Sequence, residues 1–317
     1  MTSDHSLSGR LDDVSADAGY AEHPPRVGFF TDTSVCIGCK ACEVACKEWN
    51  LVPDDGFDLL GMSYDNTGGL GANTWRHVAF IEQPARSAAP PAAAAAPAAP
   101  AAPARSPVDL GMPAFQLPGA ATGLETRQDF RWLMASDVCK HCTHAGCLDV
   151  CPTGALFRTE FGTVVVQQDI CNGCGYCVSG CPYGVIDRRE GDGRAWKCTL
   201  CYDRLHDGGT AACAKACPTN SIQYGPLDEL RERAQARVEQ LQGAGVTEAR
   251  LYGEDPDDGV GGQGSIFLLL DEPEVYGLPP DPVVPTRDLP RMWRYAGAAA
   301  AAFLAVGVSV FAGGRQR

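Results

Sequence analysis

The residues of this sequence with the clearest chemistry are its 16 cysteines, which fall into four groups along a chain of 317 residues. No cysteine lies outside the groups, whose members are Cys36, Cys39, Cys42 and Cys46; Cys139, Cys142, Cys147 and Cys151; Cys171, Cys174, Cys177 and Cys181; and Cys198, Cys201, Cys213 and Cys217. Thiols spaced so closely bind zinc or iron–sulfur clusters as thiolates, or join as disulfides. The spacing within the groups decides among these chemistries.

The third group has the spacing C-x2-C-x2-C-x3-C and is followed by Pro182, which is the arrangement of [4Fe–4S] ligands. Three thiolates from one tight loop reach three irons of a cluster, while the fourth cysteine begins a helix and turns towards a second cluster. The first group has the same spacing, and the second and fourth have longer spacers of four and eleven residues before their final C-x3-C. Because each group serves two clusters, the groups must work in pairs. The sequence therefore predicts four [4Fe–4S] clusters.

Three other chemistries fit the cysteines less well. Structural zinc sites are built from pairs of cysteine pairs, whereas three cysteines in C-x2-C-x2-C crowd a single tetrahedral ion. Neighbouring cysteines at this spacing rarely satisfy disulfide geometry in such numbers. A three-iron cluster requires a group that lacks its fourth cysteine, and all four groups are complete. Iron–sulfur ligation is the favoured chemistry.

Composition and charge exclude several classes of function. A hydrophobic content of 45% supports a folded core, and a formal net charge of −13 without any Lys/Arg-rich run argues against nucleic-acid binding. There is no dinucleotide fingerprint and no metal ligand left over from the cysteine groups, so we assign no catalytic residue and no direct small-molecule substrate. An enzyme with its own catalytic centre and a cluster protein for assembly or sensing remain alternatives that no motif supports.

The chain divides into four predicted segments. They are a disordered tail over residues 1–26, a domain holding the clusters over 27–225, a helix with an extended peripheral segment over 226–288, and a C-terminal membrane anchor over 289–317. The tail has no apolar segment behind a basic start, so we expect no signal peptide. Residues 84–107 are almost entirely Ala and Pro, a composition that predicts an exposed loop without a core.

Two elements are predicted after the cysteine groups. Apolar residues recur at helical spacing from Leu227 to Leu241 with charged and polar residues between them, which predicts an amphipathic surface helix. Glycines over 259–264 then precede an apolar run from Ser265 to Leu270, which is typical of a buried strand. These glycines lack the Gly-Lys-Ser/Thr ending of a phosphate-binding loop.

The segment from Ala296 to Gly314 contains no charge and is about as long as one bilayer crossing. Arginines flank it on both sides, and Trp293 and Tyr295 lie at one edge, as is typical of a membrane-spanning helix. Its high content of Ala and Gly also fits a buried core helix, which is the alternative. Because arginines lie at both ends, the charge rule for orientation leaves the side of the membrane open.

Several segments resemble the iron–sulfur (beta) subunit of membrane-bound respiratory formate dehydrogenases. In order along the sequence they are Phe30–Asn50, Trp196–Arg204, the helix from Leu227, Tyr252, Gly259–Gly262 and Tyr276–Pro282. The C-x2-C motifs alone also fit the iron–sulfur subunits of nitrate, dimethyl sulfoxide, polysulfide or tetrathionate reductases. The C-terminal helix together with the segment from Tyr276 is similar to the formate dehydrogenase type.

This resemblance implies which cysteines share a cluster, because in that family the first group pairs with the fourth and the second with the third. Cluster one is then expected on Cys36, Cys39, Cys42 and Cys217; cluster two on Cys46, Cys198, Cys201 and Cys213; cluster three on Cys139, Cys142, Cys147 and Cys181; and cluster four on Cys151, Cys171, Cys174 and Cys177. The implied fold is α+β, with two ferredoxin-like dicluster halves, irregular loops and one C-terminal transmembrane helix.

The resemblance also implies a function and partners. The protein is expected to be a non-catalytic electron-transfer subunit of a formate dehydrogenase complex. It would join a catalytic alpha subunit, which carries a molybdenum or tungsten pterin cofactor, to a membrane gamma subunit, which carries haem b and reduces quinone. A single-pass location in the cell membrane with the cluster domain on the extracytoplasmic face follows from the same resemblance. The equivalent subunit of another molybdopterin oxidoreductase is the alternative.

Several side chains near the cysteines have two interpretations. Lys40, Lys197 and Lys215 each lie beside a predicted ligand, where they either tune a cluster or contact a partner, or are simply exposed to solvent. His141 lies inside the second cysteine loop, and we expect a loop residue rather than a ligand because four cysteines are already present. For the four tryptophans, packing is favoured over a role as electron relays: Trp49, Trp75, Trp132 and Trp196.

Overall fold

The computed structural model of the protein describes residues 11, 13–56, 64–65, 67–84 and 130–313. All 16 cysteines lie in these ranges. The Ala/Pro-rich segment predicted over 84–107 lies outside them, apart from Pro84.

The described residues form short strands and mostly short helices, so the predicted α+β class is confirmed. The strands are β1 Val27–Asp32, β2 Arg76–Pro84, β3 Phe130–Val138, β4 Leu156–Arg158, β5 Val164–Val166, β6 Asp187–Arg188, β7 Ala195–Trp196, β8 Ile222–Pro226, β9 Arg250–Tyr252 and β10 Ser265–Leu269. The helices are α1 Ala41–Asn50, α2 Gly146–Asp149, α3 Tyr176–Ser179, α4 Tyr202–His206, α5 Ala212–Ala216, α6 Leu227–Gly243 and α7 Leu289–Gly313.

Contacts divide the protein into two units. The first comprises Met1–Ile81 with Met134–Arg317 and contains every cysteine, and the second comprises Glu82–Leu133. Within the second unit the structure describes 82–84 and 130–133, which are the ends of the paired strands β2 and β3. There the Arg131 guanidinium donates to Gln83 Oε1 at 3.1 Å.

A four-stranded sheet with the order β8-β1-β10-β9 joins distant parts of the first unit. Strand β1 pairs antiparallel with β8 and parallel with β10, so Phe30 lies opposite both Gln223 and Ile266. A parallel pair needs a long connection, and here it contains all four cysteine groups. The sheet therefore joins the segment before the cysteine groups to the segment after them.

Helix α6 packs on this sheet and supplies its core. The helix predicted from Leu227 to Leu241 is present and ends two residues later, at Gly243. Its buried side chains repeat at helical spacing and pack against apolar residues of β1 and β10. The members of this core are Phe30, Leu227, Leu230, Ala234, Val238, Ile266 and Leu268. The strand predicted from Ser265 is β10, and all its residues are buried.

A second core is small and is built partly from cysteines. The antiparallel pairs β4–β5 and β6–β7 cover it, and helices α2 and α3 pack against each other beside it. Its buried members are Ala145, Leu156, Val164, Cys177, Ile186 and Ala195, with Cys147, Cys151, Cys171 and Cys181 packed against them. Because these strands have only two or three residues, the cysteine side chains make up a large part of this small core.

Part of the predicted disordered tail is packed against the protein. Residues 1–10 and 12 lie outside the described residues, but Val14 and Ser15 are buried. The Tyr20 hydroxyl donates to the carbonyl oxygen of Arg158 at 3.3 Å. A lone Val14 in a polar segment has no periodicity, so the sequence carried no signal of this contact.

Helix α7 is long and apolar, and almost all of its residues are exposed. An 18-residue window within Leu289–Ala312 has a mean hydropathy of 1.9, and the helix is long enough to cross a bilayer. Large side chains such as Phe303 and Phe311 are about four-fifths exposed, at 80% and 82%. This exposure does not fit the alternative of a buried core helix, so α7 is a candidate membrane anchor.

Replacing Gly28 with Ala is expected to destabilise the protein. A Cβ at Gly28 would overlap the carbonyl oxygen of Gly264 and lie 2.9 Å from Cδ1 of Leu227. Forcing a methyl group into packed atoms costs about 1–3 kcal/mol, which circular dichroism would detect as a lower Tm. Gly225 is the matched control, since it lies opposite Gly28 in the β1–β8 register and has no heavy atom within 4 Å of its ideal Cβ. Equal losses of Tm in Gly28→Ala and Gly225→Ala would contradict this packing.

Candidate metal centres

Each cysteine group begins with a loop that has the same local backbone conformation. The residue just before the second cysteine has a positive φ in all four loops, with values of 65° at Gly38, 44° at His141, 72° at Gly173 and 58° at Leu200. A glycine adopts this conformation freely, whereas His and Leu are strained in it by about 1–2 kcal/mol. Two loops therefore hold a strained residue at the position where the other two have glycine.

In the first three groups the helix that follows the loop carries the third cysteine. In the fourth group α4 follows the loop, and the next helix, α5, carries the third cysteine. Cys42 and Cys46 lie in α1 one turn apart, whereas Cys147, Cys177 and Cys213 lie in α2, α3 and α5. Helix α1 packs on α5, and α2 packs on α3. These two contacts bring the first cysteine group to the fourth and the second group to the third.

The first set of thiols, set 1, lines one cavity. It consists of Cys36, Cys39 and Cys42 from the first group and Cys217 from the fourth. Burial raises the pKa of the Cys36 thiol; the Gly38 N–H lowers it, and the neighbouring Cys217 thiolate raises it. The resemblance implies that these four cysteines share a cluster, and in the structure they line the same cavity.

Set 3 lines a second cavity. Its members are Cys139, Cys142 and Cys147 from the second group and Cys181 from the third. Burial raises the pKa of the Cys142 thiol well above its usual value, and the thiolates of Cys181, Cys139 and Cys147 raise it further. The resemblance implies the same four cysteines as ligands of cluster three.

Sets 2 and 4 are recognised from the thiols that act on one another. Burial raises the pKa of Cys46 well above its usual value, and the nearby thiolates raise it further. These thiolates belong to the other members of set 2, which are Cys198, Cys213 and Cys201. In set 4, burial and then the thiolates of Cys171, Cys174 and Cys151 raise the pKa of Cys177 to about 11.

The four sets follow one another in a row. After burial, a thiolate of the next set also raises the pKa of a thiol in each of sets 1 to 3. The Cys213 thiolate of set 2 acts on Cys42 of set 1, and the Cys139 thiolate of set 3 acts on Cys198 of set 2. The Cys177 thiolate of set 4 acts on Cys147 of set 3. The most exposed thiols, Cys39 and Cys174, belong to the two end sets. All four thiols of set 2 are buried: Cys46, Cys198, Cys201 and Cys213.

The thiols are costly to ionise without a positive counter-charge. Burial raises the pKa of Cys198 to about 12, and neighbouring thiolates add to the shift. Iron binds thiolates and offsets this cost. Within the described ranges, no three Cys, His, Asp or Glu side chains come together as ligands of one metal ion. Instead, the four thiols of set 1 line one cavity and the four thiols of set 3 line another. Four thiols around one cavity would suit a [4Fe–4S] cluster, which takes one thiolate for each iron.

Comparisons with known proteins point to the same chemistry. Two family models match the sequence, and both are described as 4Fe-4S dicluster domains. One matches residues 35–155 and the other residues 130–227, so together they include all four cysteine groups.

Curated relatives cover most of the sequence. The nitrate-inducible formate dehydrogenase iron–sulfur subunit of Escherichia coli is 35% identical over 269 residues, which are 84% of this chain and 76% of that protein. This protein belongs to the family of formate dehydrogenase iron–sulfur subunits. The Haemophilus influenzae formate dehydrogenase iron–sulfur subunit is 36% identical over 83% of this chain and 72% of that protein. One subunit of the Escherichia coli anaerobic dimethyl sulfoxide reductase is 31% identical, over 66% of this chain and 77% of that protein.

The lysines beside the ligands of this iron–sulfur subunit have different surroundings. Lys215 is exposed, and Lys40 is half-buried and paired with Glu43 at 3.3 Å. Lys197 is only 2% exposed, so solvent exposure, the commoner alternative, is wrong for it. A lysine beside a cysteine motif looks the same in sequence whether it is buried or exposed.

His141 lines the cavity of set 3 and is buried. Its Nδ1 accepts the Val164 N–H at 3.1 Å, and burial followed by the nearby Lys197 ammonium lowers its pKa well below the usual value. His141 is therefore a neutral residue of the loop. The first and third loops have glycine at the position of His141. These glycines are the signal in the sequence from which its positive φ could be predicted.

The tryptophans are divided between the interior and the surface. Trp75 is buried and stacks on Trp196, with ring centroids 6.3 Å apart. Trp49 is partly exposed and donates to Asp203 at 2.8 Å. These contacts are packing and hydrogen bonding, as the favoured interpretation expected.

A Gly173→Ala substitution is expected to impair loading of set 4. Gly173 has φ +72°, and a Cβ there would lie 2.5 Å from the carbonyl oxygen of Gly193. The loop must move away from its ligand position, so iron per chain should fall by about one cluster's content. Gly184→Ala is the control, because Gly184 has φ +62° and no heavy atom within 4 Å of its ideal Cβ. Unchanged iron in Gly173→Ala would show that the loop tolerates the displacement.

Proposed function

We propose that this protein carries four [4Fe–4S] clusters on sets 1 to 4 and passes electrons along them within a formate dehydrogenase complex. The observation that carries the proposal is the row of four thiol sets, whose two end sets contain the most exposed thiols. A row in which set 2 is fully buried and both ends are accessible has the form of an electron-transfer path between two partners. The relatives named above, which are iron–sulfur subunits of formate dehydrogenases, support the same function.

The protein supplies ligands, spacing and protection from water. Each bound cluster supplies one-electron transfer chemistry. The loops hold two thiols of a set, the following helix supplies a third, and the partner group supplies the fourth. Burial of set 2 keeps solvent from the middle of the row, which protects the ligands from exchange and lowers the local dielectric constant. No residue of this protein is assigned to the oxidation of formate.

The ends of the row are the expected contacts with partner subunits. Ile37, between Cys36 and Cys39 of set 1, is an exposed apolar residue, and Tyr176 is exposed beside Cys177 of set 4. We assign one end to a catalytic subunit with a molybdenum or tungsten pterin cofactor and the other to a membrane subunit with haem b. The first of these partners oxidises the substrate, and the second delivers electrons to quinone.

Formate is preferred as the substrate of the catalytic partner. The formate dehydrogenase relatives match over 84% and 83% of the sequence, whereas the dimethyl sulfoxide reductase relative matches over 66%. The equivalent subunit of a dimethyl sulfoxide, polysulfide, tetrathionate or nitrate reductase is the second candidate, because the cluster ligands of these subunits have the same pattern.

Helix α7 is proposed as a single-pass anchor in the cell membrane. Its apolar side chains are exposed, and Trp293 and Tyr295 lie near its start, where amphipathic rings suit the membrane interface. We place the cluster domain on the extracytoplasmic face, following the formate dehydrogenase family that the protein resembles. An anchor here would hold the electron path beside a membrane subunit.

Formate should reduce the clusters in the intact complex. The test is anaerobic purification from membranes with all copurifying subunits, followed by addition of formate and low-temperature EPR. Interacting [4Fe–4S]⁺ signals should appear with formate and reach the intensity obtained with dithionite, the chemical control. Full reduction by dithionite without any reduction by formate would contradict the formate assignment and favour the second candidate, the equivalent subunit of another reductase. No [4Fe–4S] signal with either reductant would overturn the electron-transfer function.

A further inference from the structure

Two cationic side chains are almost completely buried among the thiols without a carboxylate partner. Arg76 is 1% exposed and Lys197 is 2% exposed. An isolated buried charge is strongly unfavourable, so such groups normally pair with an opposite charge. Among the residues that the structure describes, neither cation is within ion-pair distance of Asp or Glu. By contrast, Lys140, which is equally buried, pairs with the Asp137 carboxylate.

Arg76 lies at the junction of sets 1 and 2. Its Nη2 donates to Sγ of Cys213, in set 2, at 3.3 Å. Its Nη1 donates to the Ser136 carbonyl at 3.1 Å, and Ser136 Oγ lies 3.2 Å from Sγ of Cys42, in set 1. The other side of the guanidinium lies over the Phe29 ring, 4.7 Å from its centroid. The counter-charges within reach of Arg76 are therefore thiolates.

Lys197 lies at the junction of sets 2 and 3. Its ammonium donates to the Cys198 carbonyl at 2.9 Å and to the Val164 carbonyl, and it is 3.6 Å from Sγ of Cys139, in set 3. Cys198 belongs to set 2. Through the Cys198 carbonyl, this cation also contacts a residue of the same middle set.

The surrounding charges distinguish these two cations from other buried arginines. Arg76 donates to the Cys213 sulfur at 3.3 Å, and Lys197 lies 3.6 Å from the Cys139 sulfur. Arg158 donates to the carbonyls of Cys142 and Thr143 rather than to sulfur.

Set 4 has no equivalent cation among the described residues. The arginine beside it is Arg188, which is exposed and donates to the Gly173 carbonyl at 3.4 Å. A charge in contact with solvent is screened by water and salt. Set 4 is therefore an internal reference within the same row.

We infer that Arg76 and Lys197 are fixed charges that raise the reduction potentials of the clusters on either side of them, with set 2 influenced by both. Reduction adds one negative charge to a cluster, and an unpaired cation in a low-dielectric interior stabilises that charge. Arg76 acts on sets 1 and 2, and Lys197 acts on sets 2 and 3. The middle of the row is thereby made a favourable place for an electron. This inference rests on the proposed function.

The test is a potentiometric titration followed by EPR on the complex purified anaerobically from membranes. In Arg76→Met the reduction steps of the clusters on sets 1 and 2 should move to lower potential. In Lys197→Met the steps of the clusters on sets 2 and 3 should move to lower potential, so the step of set 2 is shared by both variants. In the double variant the shared step should move furthest, and one step should stay in place. Arg76→Lys, which keeps the charge, should restore the wild-type titration. Arg188→Met, the exposed control, should leave every step in place.

Each outcome decides the role of the two cations. Wild-type potentials in Arg76→Met and Lys197→Met at full iron content would overturn it while leaving the proposed function intact. Loss of clusters in Arg76→Lys as well as in Arg76→Met would show that Arg76 acts through its shape, which also overturns it. Loss of clusters in Arg76→Met alone, with wild-type titration in Arg76→Lys, supports the role of the charge. A wild-type complex without [4Fe–4S] signals would instead refute the proposed function itself.

Discussion

Sixteen thiols held close together, many of them buried, repel one another once they are ionised, and this repulsion is the constraint on which the rest of the structure depends. Burial raises the pKa of Cys42 to about 11, and burial and neighbouring thiolates raise that of Cys198 to about 12. Iron offsets the repulsion because it supplies positive charge at the centre of each set. The two buried cations, Arg76 and Lys197, act against the same repulsion from outside the sets.

The way in which the cysteine groups pair follows from two antiparallel strand pairs. Strand β1 ends just before the first group and β8 begins just after the fourth, and Thr31 lies opposite Ile222 in their register. Strand β4 follows the second group and β5 precedes the third, with Leu156 opposite Val166. The outer pair of strands brings groups one and four together, and the inner pair does the same for groups two and three. Ordinary sheet pairing thus determines which thiols meet.

The sequence predicted the parts of this architecture that local patterns encode. The cysteine spacing indicates cluster ligation, the helical repeat from Leu227 predicts α6, and the apolar run from Ser265 predicts β10, because each signal lies within a few neighbouring residues. Arg76 was not recognised, since 137 residues separate it from the Cys213 sulfur that it contacts. Burial of Lys197 likewise depends on β5 and on the second cysteine group, which are distant in sequence. Such tertiary contacts leave no periodicity to detect.

The measurement that tests the account most directly is the content of iron and acid-labile sulfide per chain in protein purified anaerobically from membranes. Four sets of four thiolates predict about 16 iron and about 16 sulfide per chain, four of each for every cluster. A content near 8 would contradict a four-cluster row, and stoichiometric zinc in place of iron would contradict the cluster chemistry itself.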